Sequence, residues 1–310
     1  MAAEPERAGG LSGRRRALGL AAGLLILAFL GLGVAAGWDR VSRYDWRFEP
    51  VTATAGFAAL LALYVMSALG YVLILEQLAG RRVPRVRFVA LWARSILGRY
   101  VPGNVLMVAS RLVLGREAGI PRRVSFAASV YEQALSLGAS AVGGVILIAA
   151  YGARSVGAAA WLVALVPLGL VVLHPRLFGP LMGKLLTRLG REPLDALLTT
   201  RQLVALFAWY AVAAVLLALG VALVARSAAP DTGPLAYVGL SFLASFVVSM
   251  LAFVFPSGLG VREGVFALAL ARDLPTGVAI AASAGIRLVI TAAELLFVAV
   301  AVLVDRRMRP

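Results

Sequence analysis

The sequence predicts an all-α, polytopic helical membrane protein. It has about six full spans plus two re-entrant or broken hairpins, arranged as an inverted internal repeat. Three observations predict this. First, 61% of the 310 residues are hydrophobic and 15% are charged, with a mean hydropathy of +0.91; a soluble domain is nearer half apolar and a quarter charged. Second, several apolar runs approach or exceed the ~20 residues that cross a bilayer. Third, two runs are broken at Pro-Gly or Pro-Ser-Gly and carry arginines and glutamates inside apolar sequence. Ionisable groups at membrane depth are functional candidates by default.

Thirty Lys plus Arg against fifteen Asp plus Glu give a net charge of +15. The basic residues cluster at the ends of apolar runs, which is the positive-inside pattern and also suits anionic lipid head groups. No nucleic acid partner is expected. The chain has no Cys and a single His, His174. Thiolate metal sites, disulfides and thiol nucleophiles are thereby excluded. No metal site and no cofactor is expected, and His174 reads as an interfacial residue.

Residues 1–13 form a polar tail expected in the cytoplasm. Arg14, Arg15 and Arg16 precede the first span, Ala17 to Gly37, which is longer than a signal-peptide core and is followed by further spans. Trp38 to Pro50 is a mixed-charge loop whose Trp38, Tyr44 and Trp46 suit an interface. Val51 to Ala79 is the second span, with Glu76 at its interfacial end, and Gly80 to Arg87 is a basic cytoplasmic loop. Phe88 to Leu114 is interrupted at Tyr100 to Asn104 and flanked by arginines at both ends. It reads as a hairpin that enters from the cytoplasm and returns, with Arg94 near its edge. Such irregular backbone is tolerated where it is buried in protein or lines water.

Val124 to Ala150 is the third span, with Glu132 well inside it, and Gly157 to Leu173 the fourth. Residues 174–200 read as an interfacial segment, with Leu177, Phe178, Leu181, Leu185 and Leu189 at roughly helical spacing. Leu203 to Ala225 is the fifth span. Leu235 to Phe255 and Val261 to Ala271 flank the second break, Pro256 to Gly260; Ser241, Ser245 and Ser249 suit close helix packing. Thr276 to Val304 is the last span, and the arginines of residues 305–310 place the C-terminus in the cytoplasm. If each hairpin crosses twice, the count is eight.

A register shift of 154 lays Pro102 on Pro256, Pro121 on Pro275 and Ala127-Ala128-Ser129 on Ala281-Ala282-Ser283. A single transmembrane domain over 14–304 is therefore expected, with halves of about 14–150 and 157–304. An odd number of spans in the first half inverts the second. Broken helices meeting at the midplane of inverted repeats are a recurrent transporter plan.

The candidate substrate-binding residues are Arg99, Arg111, Glu132, Arg262, Glu263, Arg287 and Glu294. The candidate helix breaks are Pro102, Gly103, Asn104, Pro256, Gly258 and Gly260. A buried charge needs a partner or a wet cavity, and a pair such as Glu132 with Arg287 would join the halves. Arg262 and Glu263 can instead pair locally, or Glu263 can face a helix N-terminus. Arginine grips phosphate in a bidentate fashion. No catalytic constellation stands out.

The run Arg99-Tyr100-Val101-Pro102-Gly103-Asn104, with Ala109-Ser110-Arg111, Ala118-Gly119-Ile120 and Ser129-Val130-Tyr131-Glu132, resembles the first signature of the lysylphosphatidylglycerol synthase transmembrane domain family, also called flippase-like. Pro256 to Gly264 resembles the second. In the best-known members this domain translocates an aminoacylated phospholipid that a soluble C-terminal domain synthesises. The resemblance implies a stand-alone member without that synthase domain, and hence movement of a lipid rather than aminoacyl transfer. The expectation is a non-enzymatic translocator of an anionic phospholipid or polyprenyl-phosphate-linked lipid in the cytoplasmic membrane of a bacterium. The rivals are an accessory subunit scaffolding a separately encoded membrane enzyme and, third, a membrane-embedded transferase acting on lipid phosphates with Glu132 or Glu263 as its base.

Overall fold

The computed structural model describes residues 32, 35, 38–100, 105–152, 174–188, 197–251 and 260–308. Every regular element among them is helical. The elements are α1 (Trp38–Arg43), α2 (Pro50–Ala79), α3 (Arg85–Ile96), α4 (Val105–Glu117), α5 (Arg122–Tyr151), α6 (Pro175–Arg188), α7 (Thr200–Ala228), α8 (Leu235–Leu251), α9 (Val261–Leu270) and α10 (Thr276–Arg307). A 3-10 turn, Leu97–Tyr100, follows α3.

Four helices, α2, α5, α7 and α10, are long and apolar enough to cross a membrane. At 1.5 Å per residue each extends about 45 Å, beyond the ~30 Å hydrocarbon core. They coincide with four of the six expected spans. The expected spans at 17–37 and 157–173 lie outside the described residues, apart from Leu32 and Ala35. Short helices make up the rest: α1, α6, and the pairs α3 with α4 and α8 with α9.

Helix ends differ from the sequence expectation for local reasons. Arg85 to Arg87, expected in a loop, start α3 directly after Pro84. The helix α4 continues past Leu114 to Glu117, and Gly119 at φ 81° followed by Pro121 ends the segment. Charges at a helix end do not stop it; a left-handed glycine and a proline do. Within the expected loop 38–50, Trp38–Arg43 forms a short helix. Glu76 closes the α2–α3 turn by accepting the Val83 N–H at 3.2 Å and an Arg85 N–H at 3.3 Å.

The arms α3 and α4 run antiparallel. Arg111 reaches Ser95, and a Cβ on Gly98 would lie 2.7 Å from the Met107 nitrogen, so only glycine allows that approach. At their mouth Arg81 donates to the Gly119 carbonyl at 2.8 Å. The arms α8 and α9 are likewise antiparallel: Phe242 meets Phe266, and Tyr237 donates to the Ala269 carbonyl.

The long helices α2 and α7 also lie antiparallel, with Gly56 against Gly220 and the Trp209 indole bonded to the Met66 carbonyl at 2.8 Å. Backbone bonds from Arg47 to Ala228 and from Glu49 to Ser227 join the start of α2 to the end of α7. The remaining contacts come in matching sets. The helix α5 packs on α8 as α10 packs on α3, and α5 packs on α7 as α10 packs on α2.

The mouth of α3–α4 therefore opens at the end of the bundle that holds Arg81, Arg82, Arg122 and Arg123. The mouth of α8–α9 opens at the opposite end, with Asp45, Asp231 and Asp273. There Tyr44 donates to Asp231 at 3.3 Å; partial burial and that carboxylate push its phenol up.

The helix α6 forms where the interfacial segment was expected. Its Phe178 and Met182 are buried, Phe178 against the Tyr131 ring at 4.1 Å, while Leu177, Leu181 and Leu185 are exposed.

Candidate functional site

The charged residues of the broken elements converge on one cavity of about 310 Å³ in the middle of the bundle. Arg99, Arg111, Glu132, Arg262 and Arg287 line it, together with Tyr64, Trp92 and Phe242. Glu132 lies about 15 Å along α5 from the arginine-rich end. Arg287 lies a similar distance along α10 from the opposite end, so the two approach mid-depth from opposite directions.

Arg111 is fully buried. Its guanidinium is paired with the Glu132 carboxylate, its Nε donates to Ser95 Oγ at 3.0 Å, and it lies 4.5 Å above the Tyr71 ring. Glu132 also accepts the Trp92 indole N–H at 2.7 Å. This half of the site is built by α3, α4 and α5: residues 92, 95 and 99 share one face of the first arm, and 129 and 132 one face of the span.

The second half uses α9 and α10 with the polarity exchanged, a glutamate on the short arm and an arginine on the span. Glu263 Oε1 accepts from Arg262 at 3.0 Å and pairs with Arg287 at 3.8 Å. Its other oxygen accepts the Gly260 N–H at 2.8 Å. Local pairing and a contact with the helix start, weighed as rivals from the sequence, thus occur together. Gly260 has φ 83°, which a side chain disfavours. Arg262 also lies 5.4 Å from the Phe242 ring.

Two ion pairs bridge the halves. Arg99 is paired with Glu294, which is fully buried and also accepts the Tyr64 hydroxyl at 3.3 Å. Arg94, expected as a plain edge residue, is bonded to the buried Asp305 at 2.8 Å.

All seven candidate charges therefore meet at the cavity, five lining it and Glu263 and Glu294 bonded directly behind. One expected pairing is corrected: Glu132 joins Arg111 of its own half, not Arg287, which lies beside Glu263. The antiparallel register of α4 on α5 puts Arg111 within reach first. Of the helix-break candidates, Gly260 starts α9; Pro102, Gly103, Asn104, Pro256 and Gly258 lie outside the described residues.

Trp92, Tyr64, Ser95 and Asp305 take part without having been singled out from sequence. The signal for the first and third was present: Trp92, Ser95 and Arg99 recur at three- and four-residue spacing. Ser241, Ser245 and Ser249 are buried, and Ser245 and Ser249 donate to carbonyls of their own helix, as packing residues do. A second crevice between α2, α7 and α10 is lined by residues such as Phe57, Val224 and Ile286 and contains no charge.

No curated protein matches the chain. The family model described as "Lysylphosphatidylglycerol synthase TM region" matches residues 16–297. A transmembrane family model and four helices apolar enough to span a bilayer make this an integral membrane protein. Since the match takes in both pairs of short helices, α2, α5 and α7 whole and α10 as far as residue 297, the chain belongs to the lysylphosphatidylglycerol synthase transmembrane region family.

Proposed function

We propose that the protein translocates an anionic or polyprenyl-phosphate-linked lipid across the cytoplasmic membrane. The observation that carries this reading is the central cavity of about 310 Å³, lined by four arginines and Glu132 from both short-helix pairs and from α5 and α10, with Glu263 and Glu294 bonded directly behind. Charges held at such depth are costly, and arginine forks suit phosphate.

The reading takes the chain as an inverted repeat. The order long helix, short arm, short arm, long helix occurs twice. The antiparallel course of α2 and α7, which hold the same place in that order, supports inversion. A site reached by one hairpin from each leaflet is the geometry of alternating access. The arginines at the mouth of α3–α4 and at the end of α10 support a cytoplasmic location for that end. In this reading the site binds and releases rather than catalyses, because its glutamates serve to hold arginines.

The test is reconstitution in liposomes with an acyl-labelled phospholipid and a quencher that reaches only the outer leaflet. Bleaching beyond the outer-leaflet half is expected for the parent protein. It should be lost in an Arg111→Gln variant that remains monodisperse. Bleaching that stops at half for the parent, with co-purification of a membrane enzyme, would replace the carrier by a scaffold.

A further inference from the structure

We propose that the cavity selects its lipid by net charge, taking a head group of one negative charge, a phosphodiester mono-anion, ahead of zwitterionic and cationic head groups. This rests on the lipid-carrier reading of the same cavity and adds a substrate class to it.

The argument is a charge count. Arg99, Arg111, Arg262 and Arg287 face Glu132, Glu263 and Glu294, which leaves one positive charge among the described residues. The neighbouring stretches 101–104 and 252–259 contain no ionisable side chain, so they do not alter it. Arg94 with Asp305 is a separate, self-neutralising pair.

The excess is localised. Arg111 has Glu132 and Arg99 has Glu294, whereas Arg262 and Arg287 share the single carboxylate of Glu263. A cavity of low dielectric penalises any net charge it encloses. One added negative charge closes the count. A zwitterion leaves it open, a cationic lipid doubles it, and a diphosphate overshoots. Arginine offers such a group a planar fork of donors. The room agrees: about 310 Å³ corresponds to about ten water volumes, and a phosphoglycerol head group has about ten non-hydrogen atoms.

The experiment compares acyl-labelled phosphatidylglycerol, phosphatidylcholine and lysylphosphatidylglycerol in the same proteoliposomes. Retention of each lipid by the detergent-purified full chain is measured in parallel by native mass spectrometry. Phosphatidylglycerol is expected to move at least tenfold faster than the other two, and to be retained in preference. Arg262→Gln removes the excess charge and should raise phosphatidylcholine relative to phosphatidylglycerol by about tenfold. Arg287→Gln makes the same change in charge, should the first variant not fold.

Equal rates for the three lipids, or a ratio unmoved in the folded variant, overturn the charge rule while leaving the carrier reading standing. If no lipid moves but retention follows charge, the carrier reading falls and the charge rule stands. If there is neither movement nor selective retention, both fall.

Discussion

Arg111→Met tests whether the enclosed ion pair holds the first hairpin to its span. Arg111 is fully buried, and its guanidinium is shared among Glu132, Ser95 and Ser129. Deleting one partner of a buried pair costs about 3–5 kcal/mol, since the other charge stays behind uncompensated. The lost contact with the Tyr71 ring adds about 1 kcal/mol. At about 1.5 °C per kcal/mol for a chain of 310 residues, the melting temperature should fall by roughly 6–9 °C. Arg111→Met/Glu132→Gln removes both charges, and the glutamine oxygen can still accept the Trp92 indole N–H. Replacing a buried pair by neutral groups is often nearly free, so the double variant should regain at least half of the loss. Thermal unfolding in one detergent, followed by tryptophan fluorescence, measures both. A single variant that melts with the parent, or a double variant no more stable than the single, would refute the reasoning.

Three further outcomes are expected. The chain has no cysteine, so single replacements can be labelled directly: Arg82→Cys and Arg307→Cys should react from one side of sealed membranes, Asp45→Cys and Asp273→Cys from the other. Reaction of all four from one side would refute the opposed mouths. Gly56→Val brings a Cβ to 2.9 Å from the Gly220 carbonyl oxygen and should cost about 1–3 kcal/mol through overpacking. Gly183→Ala on α6 meets nothing within 4 Å and should leave the melt unchanged or slightly raised; equal effects of the two would sink this account of the α2–α7 seam. Gly260→Ala forces a side chain to φ 83°, at about 1–2 kcal/mol, and should lower the melting temperature by a few degrees; an unchanged melt would show that the turn relaxes freely.

The long helices were legible because a lipid-facing helix must be apolar over most of its length, and α2, α5, α7 and α10 appear as long apolar runs with at most two charges inside. Their ends were less so. Arg85, Arg87 and Arg116 look like loop residues by charge but lie in helices, because the chain turns at Pro84 and at Gly119-Pro121 instead. The seven site charges stood out by residue type alone. Who meets whom did not, since pairing depends on how antiparallel arms slide past one another. Glu132 therefore went to Arg111, and Asp305, which looks like the start of a cytoplasmic tail, is buried against Arg94. Aromatic residues in apolar sequence resemble lining, which hid Tyr64 and Trp92.

The two pairs that cross between the halves, Arg99 with Glu294 and Arg94 with Asp305, have arginine side chains 26% and 35% exposed. Arg94 with Asp305 lies toward the arginine-rich end, and Arg99 with Glu294 lies at the central cavity. The far end is joined instead by main-chain bonds such as Arg47 to Ala228 and by the Tyr151–Tyr237 ring contact. The arginine-rich end is thus fastened by an ion pair, and the far end largely by main-chain and ring contacts. With Glu294 fully buried and Asp305 4% exposed, both pairs are screened far less than surface ion pairs, so added salt leaves both ends fastened.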